Sequence, residues 1–255
     1  MIIFTIPKPF TESHVEMIQN NAIGSWLQLD TIVDVVLCCD DEGVADAADR
    51  FNTIYIPDIE RHEGVPVISD AFAKVQARFP NHRLVYVNTD IILFNDFVQA
   101  SYALEFSEFP EFRTSLMVGD RYNWSNPRPI TWRDGWQSDL RSAVMSEGWM
   151  DPPVCADYFV FPSGMIKDMP PFLIGRYAWD TWLVSHTYIE RKIPVIDASQ
   201  AVFVIHQDHS RHRHDRAHPL CKRNVAMITR DDLRTGGRTD QVPYIMTKEM
   251  EIEKR

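Results

Sequence analysis

The sequence predicts an α/β protein built on a mostly parallel central sheet with helices on its faces. Over residues 1–56, short apolar runs alternate with segments of helical periodicity, which is the pattern of consecutive βαβ units. Further along, residues 83–93 form a longer apolar run that is broken by a short polar stretch. A run this apolar suits a strand buried on both faces, as in the middle of a parallel sheet.

The individual elements follow from apolar spacing and chain breakers. Pro7 and Pro9 end the first strand and Pro57 ends the third, because proline cannot donate to a sheet ladder. Helices are expected at 11–29, 43–51, 67–79 and 94–106 and from about 180 to 188, and strands at 1–6, 34–39, 53–56, 83–93, 115–119, 158–162, 194–197 and 201–206. Residues 236–255 are expected to form a peripheral helix or a frayed tail.

The polar stretch within 83–93 consists of Asn88, Thr89 and Asp90. In open α/β folds ligands bind at the carboxyl edge of the sheet, where this triplet would emerge. A carboxylate with an amide two residues before it is an oxygen-ligand set for Mg²⁺ or Mn²⁺. The alternative interpretation is an Asx turn that only ends the strand, and the triplet by itself does not decide between the two.

Composition and charge disfavour several classes of protein. The 255-residue chain is 45% hydrophobic and 24% charged, with a mean hydropathy of -0.25, as in ordinary globular proteins. No apolar run approaches the roughly 18 residues that span a bilayer, and the first residues lack the basic region of a signal peptide, so we expect a cytoplasmic protein. The net charge of -10 disfavours nucleic acid as a partner without excluding a local basic patch.

The sequence lacks two common nucleotide-binding motifs. The chain contains neither GxGxxG nor GxxxxGK[ST], so a dinucleotide site or a P-loop is disfavoured and bound phosphates would need a metal ion. The cysteines show no CxxC spacing, which favours reduced and mostly buried thiols over a disulfide frame or a zinc site. They are Cys38, Cys39, Cys155 and Cys221.

Two later segments hold further candidates. Residues 122–149 contain four of the seven tryptophans, Trp124, Trp132, Trp136 and Trp149, and such rings either stack on sugars and bases or cover a core. Residues 206–218 contain five of the nine histidines, which indicates metal binding or a proton-sensitive loop. The spacing matches no tetrahedral zinc motif, so His206 and His209 are candidate ligands to a metal that is held mainly by other residues.

The order of these features resembles the GT-A-fold, family 2-like glycosyltransferases, which use nucleotide-sugar donors. The resemblance covers roughly residues 1–215: a Rossmann-like first half, a DxD-type triplet after a buried strand, a later acidic residue that opens a helix, and a late histidine. It implies a mixed, mostly parallel sheet in one catalytic domain at 1–235, with a nucleotide-sugar-binding half at 1–95, an acceptor and catalytic half at 96–235, and a peripheral tail at 236–255.

The resemblance also implies roles for single residues. In that family the last Asp of the triplet ligates the Mn²⁺ or Mg²⁺ ion that bridges the donor phosphates; Asp90 matches it, whereas Asn88 stands where the first Asp is usual. An amide oxygen is a neutral and poorer ligand. His206, or failing it His209, resembles the histidine that completes the metal site in some members.

The catalytic base is expected where inverting members place an acidic residue ahead of a helix. Trp179-Asp180-Thr181 resembles that site, so Asp180 is the expected base and the reaction would invert the anomeric centre. The alternative interpretation is a carboxylate in the first turn of a helix that only interacts with the helix dipole. Asp157 is the rival base or a ligand for acceptor hydroxyls.

The donor site is implied at the ends of the first two strands. The base and ribose are expected to contact Thr5, Ile6, Pro7 and Asp40, and Thr89 lies beside the metal ligands. Arg61 and Arg176, each in a loop by the predicted cleft edge, are expected either to pair with the diphosphate or to be solvated or structural charges. A UDP-sugar is favoured by the resemblance alone, and the acceptor would be a glycan or another hydroxyl compound.

Two other functions stay open. A nucleotidyltransferase shares a similar sheet, but its members generally carry a glycine-rich, basic loop after the first strand, and residues 6–10 contain no glycine. A sugar-binding or scaffolding domain built on a decayed transferase is the non-enzymatic alternative, because Asn88 departs from the metal-binding pattern.

Overall fold

The computed structural model describes residues 1–126, 128–153, 156–209, 217–229 and 237–255. Cys155 and the basic, histidine-containing loop at 211–216 lie outside the described residues. The predicted boundary at 235–236 also lies outside them, so the division into a domain and a tail stays a prediction.

Within the described ranges the chain forms fifteen strands and eight α-helices. The strands are β1 (Ile2–Thr5), β2 (Asp34–Cys38), β3 (Ile54–Ile56), β4 (Arg61–His62), β5 (Val65–Pro66), β6 (Arg83–Val87), β7 (Ile91–Ile92), β8 (Leu116–Val118), β9 (Tyr122–Trp124), β10 (Trp149–Met150), β11 (Tyr158–Pro162), β12 (Val195–Asp197), β13 (Ile205–Gln207), β14 (Tyr244–Met246) and β15 (Ile252–Lys254). The helices are α1 (Ser13–Leu27), α2 (Val44–Phe51), α3 (Ile68–Arg78), α4 (Asn95–Glu105), α5 (Pro110–Arg113), α6 (Trp136–Glu147), α7 (Trp179–Ser185) and α8 (Pro219–Val225).

Nine of these strands form a central sheet in the order β15-β14-β12-β8-β11-β6-β1-β2-β3. Seven of the nine run in one direction, whereas β11 runs against β6 and β8 and β15 runs against β14. This confirms the mixed, mostly parallel sheet that the sequence predicts. The parallel strands end at one edge, so the residues after β2, β6 and β8 meet there. The residue before β11 reaches the same edge because that strand is reversed.

The central strand β6 is fixed by a layer of aromatic rings. All five of its residues are buried. Tyr86 of β6 packs against Phe4 of β1 and Phe72 of α3, with ring centroids 5.4 and 5.3 Å away, and Phe72 stacks on Phe161 of β11 at 5.6 Å. Each such pair contributes about 0.5–1.5 kcal/mol beyond the area it buries. The triplet that follows β6 therefore starts from a rigid base.

The run at 83–93 is divided between two sheets. β6 belongs to the central sheet, whereas β7 belongs to a smaller sheet of order β10-β9-β13-β7, and residues 88–90 connect them. The sequence predicted a single interrupted strand here. In the small sheet His206 of β13 lies opposite Ile91 of β7 and beside Asn123 of β9. His206 is thereby brought next to Asp90, because Ile91 directly follows that residue.

The structure corrects several expected elements. Residues 237–255 contain two strands, β14 and β15, at the edge of the central sheet, so the expected helix is wrong. The backbone of this segment pairs with β12 and within the β14–β15 hairpin, which the local sequence does not indicate. The expected strand at 201–206 begins only at Ile205.

The tryptophan-rich segment is more regular than expected, since it contains β9, α6 and β10. Trp124 and Trp136 are buried in an apolar cluster with Phe94 and Phe203, so the core interpretation is confirmed for these two rings. Trp149 is 42% exposed. No helix among the described residues has both the length and the apolar character that a membrane span requires.

Candidate metal and catalytic site

Asp90 follows β6 at the carboxyl edge of the central sheet. The Ile91 main-chain N–H donates to the Asn88 carbonyl at 3.1 Å, which closes the turn, and the Asp90 carbonyl accepts the Gln207 main-chain N–H at 3.0 Å. The backbone at Asp90 is therefore held from both sheets. Its carboxylate is placed by the crossing of the chain from one sheet to the other.

Two histidines converge on this carboxylate. The Nε2 atoms of His206 and His209 lie 3.7 and 3.1 Å from Asp90 Oδ2, and the three ligand atoms all lie within 4.8 Å of one another. The second oxygen, Asp90 Oδ1, is buried and has no hydrogen-bond partner among the described residues. A buried carboxylate oxygen without a partner is costly, so the geometry fits a cation at this place.

The charge state of Asp90 also suits a cation. Burial opposes its ionisation, but His206, His209 and Lys8 outweigh that effect and hold the pKa of Asp90 below its ordinary value. One carboxylate oxygen and two imidazole nitrogens form a donor set that fits a divalent transition-metal ion such as Mn²⁺. The structure thus brings together three of the four predicted metal ligands.

Asn123, which the sequence analysis did not single out, contacts the ring nitrogen of His206 that is not directed at Asp90. Its Oδ1 lies 2.9 Å from His206 Nδ1. When Nδ1 carries the proton and donates it to Asn123, the lone pair of Nε2 faces Asp90, which is the tautomer that a metal ligand needs. The pairing of β9 with β13 places Asn123 beside His206.

Asn88 contacts a different group. Its Nδ2 donates to Asp157 Oδ1 at 2.7 Å, and its Oδ1 accepts the Tyr86 hydroxyl at 3.2 Å. The Asn88 side chain therefore belongs to a separate group of residues, Asn88, Arg121, Asp151 and Asp157, which we call the carboxylate cluster. It lies beside the predicted metal ligands. The role of Asn88 as a metal ligand stays a prediction.

Asp157 is the centre of the carboxylate cluster. It is buried and forms an ion pair with Arg121, whose Nη2 also lies 3.3 Å from Asp151 Oδ2. Because Asn88 and Arg121 already engage the Asp157 carboxylate, this residue is placed to orient its neighbours. Arg121 was missed in the sequence, although the polar pair Asp120-Arg121 after an apolar strand was a usable signal.

Asp180 opens α7 next to this cluster. The Trp179 ring packs on Tyr86 of β6 and Phe159 of β11, with centroids 5.3 and 5.2 Å away, which places the start of α7 against the central strands. Ala178, the residue immediately before α7, has a φ of 94°, which is a strained value for a residue with a side chain. Such strain is common at functional sites.

The surroundings of Asp180 suit a proton acceptor. Burial raises the pKa of Asp180, opposed by the N–H of Thr181, which donates to Asp180 Oδ1 at 2.8 Å, and by the charge of Arg121. A carboxylate whose pKa is raised toward the working pH is a more effective general base.

Three of the residues predicted to bind the donor lie at the end of β1. Thr5, Ile6 and Pro7 are buried at the end of β1, and the Thr5 hydroxyl lies 2.7 Å from the hydroxyl of Thr89. This pair ties the predicted donor strand to the triplet.

Arg61 and Arg176 have other partners. Arg61 Nη2 lies 2.7 Å from Asp40 Oδ1 and 2.9 Å from Asp41 Oδ1, so Arg61 compensates those carboxylates after β2. Arg176 Nη1 donates to the Gly175 carbonyl at 3.2 Å. The described contacts connect neither arginine to Asp90, and their phosphate roles stay predictions.

Comparison with known proteins finds similarity in fold only. No protein-family model and no curated protein matches the sequence. Glucosyl-3-phosphoglycerate synthase from Mycobacterium tuberculosis, in complex with Mg²⁺ and uridine diphosphate, matches with a TM-score of 0.50 and 12% identity over 100% of this chain and 87% of that chain. Its complex with phosphoglyceric acid matches with a TM-score of 0.52 and 13% identity over 93% of this chain and 80% of that chain.

Other structures match over smaller parts. The mannosyltransferase PcManGT from Pyrobaculum calidifontis, in complex with GDP-Man and Mn²⁺, has a TM-score of 0.49 and 14% identity over 83% of this chain and 58% of that chain. The S. aureus TarS structure with UDP-GlcNAc has a TM-score of 0.36 and 12% identity over 51% of this chain, and only 37% of that chain is covered. The matches at a TM-score of 0.50 and above confirm the GT-A fold.

Proposed function

We propose that the protein is a metal-dependent glycosyltransferase that moves a sugar from a nucleotide-diphosphate sugar to an acceptor hydroxyl. The observation that supports this most is the convergence of Asp90, His206 and His209 at the carboxyl edge of a GT-A sheet. Ligands of open α/β sheets bind at that edge. The carboxylate cluster lies beside it, because Asn88 of the same turn contacts Asp157.

The first part of the mechanism is metal binding. Asp90 supplies an anionic oxygen, His206 and His209 supply neutral nitrogens, and Asn88 is a candidate further ligand. Mn²⁺ or Mg²⁺ held by these residues would neutralise the charge that grows on the diphosphate leaving group. The imidazole nitrogens suit a transition-metal ion such as Mn²⁺ better than Mg²⁺, which prefers oxygen ligands.

The second part is proton transfer from the acceptor. Asp180 accepts the proton of the acceptor hydroxyl while that oxygen attacks the anomeric carbon, and the diphosphate leaves with the electrons of the broken C–O bond. Attack from the face opposite the leaving group inverts the anomeric centre. Asp157 is the alternative base, but its contacts with Asn88 and Arg121 favour an orienting role.

The donor nucleotide is proposed to lie over the ends of β1 and β2, against Thr5, Ile6, Pro7 and Asp40. Its diphosphate would lie between this surface and Asp90. UDP is the first candidate, and a glycan or another hydroxyl compound is the proposed acceptor.

The direct test is incubation with a panel of nucleotide sugars and Mn²⁺, following release of the nucleoside diphosphate. We expect release from at least one donor, loss of release in Asp90→Ala, and normal release in the control Asp46→Ala, whose side chain is exposed on α2. No release from any donor would support the scaffold function. Release of pyrophosphate from a nucleoside triphosphate and a sugar phosphate would instead support the nucleotidyltransferase.

A further inference from the structure

Lys8 follows β1 in a segment whose backbone is held in place. Its main-chain N–H donates to Gln19 Oε1 at 2.7 Å, and its carbonyl accepts from Gln19 Nε2 at 3.0 Å. Gln19, on α1, is only 2% exposed. Pro7 and Pro9 on either side also restrict the backbone. The Lys8 main chain is therefore fixed, while its exposed side chain can move.

The Lys8 side chain reaches His209, one of the three predicted metal ligands that lie together. Its Nζ lies 3.0 Å from His209 Nε2, and that same nitrogen lies 3.1 Å from Asp90 Oδ2. An ammonium group can only donate hydrogen bonds, so a hydrogen bond from Lys8 uses the lone pair of Nε2. A hydrogen bond from Nε2 to the Asp90 carboxylate would need a proton on the same atom, so the two contacts belong to different tautomers of His209. A metal ion bound by His209 would use the same lone pair. Contact with Lys8 and coordination by His209 Nε2 therefore exclude each other.

Electrostatic repulsion also disfavours the simultaneous presence of the Lys8 ammonium group and a divalent ion beside Asp90. Lys8 is one of the groups whose positive charge stabilises the ionised form of Asp90. A divalent ion against Asp90 would provide that compensation itself and would repel the ammonium group. A bound diphosphate, in turn, would bring negative charge to the same edge of the sheet and attract it.

We propose that Lys8 is an exchangeable counter-ion of this site: its ammonium group binds His209 when no divalent ion is present, and moves to the diphosphate of the donor when the ion binds. This inference rests on the proposed function and deepens it. Lys8 acts as a positioning residue that competes with the metal alone and cooperates with the metal–diphosphate pair. Binding of metal and diphosphate is thereby coupled.

The test compares two ligands in Lys8→Met. Mn²⁺ alone is titrated by electron paramagnetic resonance of the free ion, and UDP is titrated by calorimetry at saturating Mn²⁺. We expect Lys8→Met to bind Mn²⁺ alone about three- to tenfold more tightly, because one nearby positive charge is removed, and to bind UDP with Mn²⁺ more weakly by a similar factor. A residue that served only the structure would not change the two affinities in opposite directions.

Two further variants complete the test. Lys8→Arg keeps the charge and is expected to restore both affinities to within about twofold of wild type. Lys248→Met removes an exposed lysine in the turn between β14 and β15 and is expected to change neither.

Unchanged or weaker Mn²⁺ binding by Lys8→Met overturns the inference, and so does unchanged UDP binding. A wild-type protein that binds no Mn²⁺ overturns it as well, together with the metal site itself. Failure of the proposed function is a separate result, because it would be seen as absence of diphosphate release from every donor by the wild-type protein.

Discussion

Asn88 and Asp157 are joined by a side-chain hydrogen bond of 2.7 Å although 69 positions separate them. The Asn88 main-chain N–H also donates to the Asp157 carbonyl at 3.0 Å. Both contacts follow from the antiparallel pairing of β6 and β11, in which Val87 lies opposite Tyr158. The carboxylate cluster and the turn that carries Asp90 are therefore linked by two hydrogen bonds, so a displacement of one is expected to displace the other.

Asn123 is expected to matter for metal affinity without touching the metal. Asn123→Leu removes the acceptor for His206 Nδ1 and leaves the imidazole without its orienting partner. We expect Mn²⁺ affinity to fall about 10–100-fold, the usual effect of losing such a partner. Asn123→Asp keeps an acceptor and should stay closer to wild type, as measured by Mn²⁺ titration. Equal affinity of the Leu variant and the wild type would contradict this role.

Asp180→Asn tests the proposed base. Transfer should fall about 10²–10⁴-fold while UDP binding stays within about twofold of wild type. The base must be ionised, so the rate of the wild type should fall as pH decreases through the pKa of Asp180. Because burial raises that pKa, this acidic limb should lie above the ordinary aspartate value of about 3.9. An unaltered rate in the Asn variant would transfer the role to Asp157.

The same substitution should increase stability. A raised pKa in the folded state means that folding favours the neutral carboxyl, so the wild type loses stability as pH rises from the unfolded pKa of Asp180 through its folded pKa. Asparagine cannot ionise and avoids this loss. We expect a higher Tm for Asp180→Asn at pH 7 and a difference that disappears near pH 3 in thermal scans. A lower Tm at pH 7 would argue against the buried environment.

Arg121 is expected to be essential for stability. Arg121→Met leaves the buried Asp157 carboxylate without its cation, which should cost about 3–5 kcal/mol of the free energy of unfolding. The double variant Arg121→Met/Asp157→Asn should recover part of this loss in denaturant titrations. Arg133→Met is the control, because its partner Asp139 is exposed and such pairs contribute about 0–1 kcal/mol. Equal effects of the two Arg variants would contradict the buried pair.

The thiols at the end of β2 should be inert in the folded protein. Burial raises the pKa of Cys39 to about 12 and also raises the pKa of Cys38, so neither forms the reactive thiolate near pH 8. We expect iodoacetamide to label their peptide only after unfolding, as read by mass spectrometry. Rapid labelling of the native protein would show that this strand end opens.

Much of the candidate site could be predicted because its signals are local. Asp90 follows an apolar strand, Asp180 lies in the first turn of a helix, and His206 ends an apolar run, so each could be singled out as a candidate from its own neighbours. The order β1, α1, β2, α2, β3, α3 and β6 was predicted for the same reason, whereas β4, β5 and the separation of β7 from β6 were not. Proline, glycine and apolar spacing act over a few residues.

Other features depend on contacts between distant segments. Nothing near Lys8 or Asn123 in the chain indicates a partner, and each meets a histidine only through packing against elements more than 80 positions away. The reversal of β11, which brings Asp157 to the carboxyl edge, is also absent from the local pattern.

The sequence by itself determined the α/β class and the buried strand β6, because those depend on composition and spacing along the chain. It also supplied Asp90, His206 and Asp180 as candidates for metal binding and proton transfer. The tertiary structure alone decided which of them meet. Strand direction and sheet pairing are settled by burial of the whole apolar surface, and they place His206 against Asp90, Asn88 against Asp157 and Lys8 against His209.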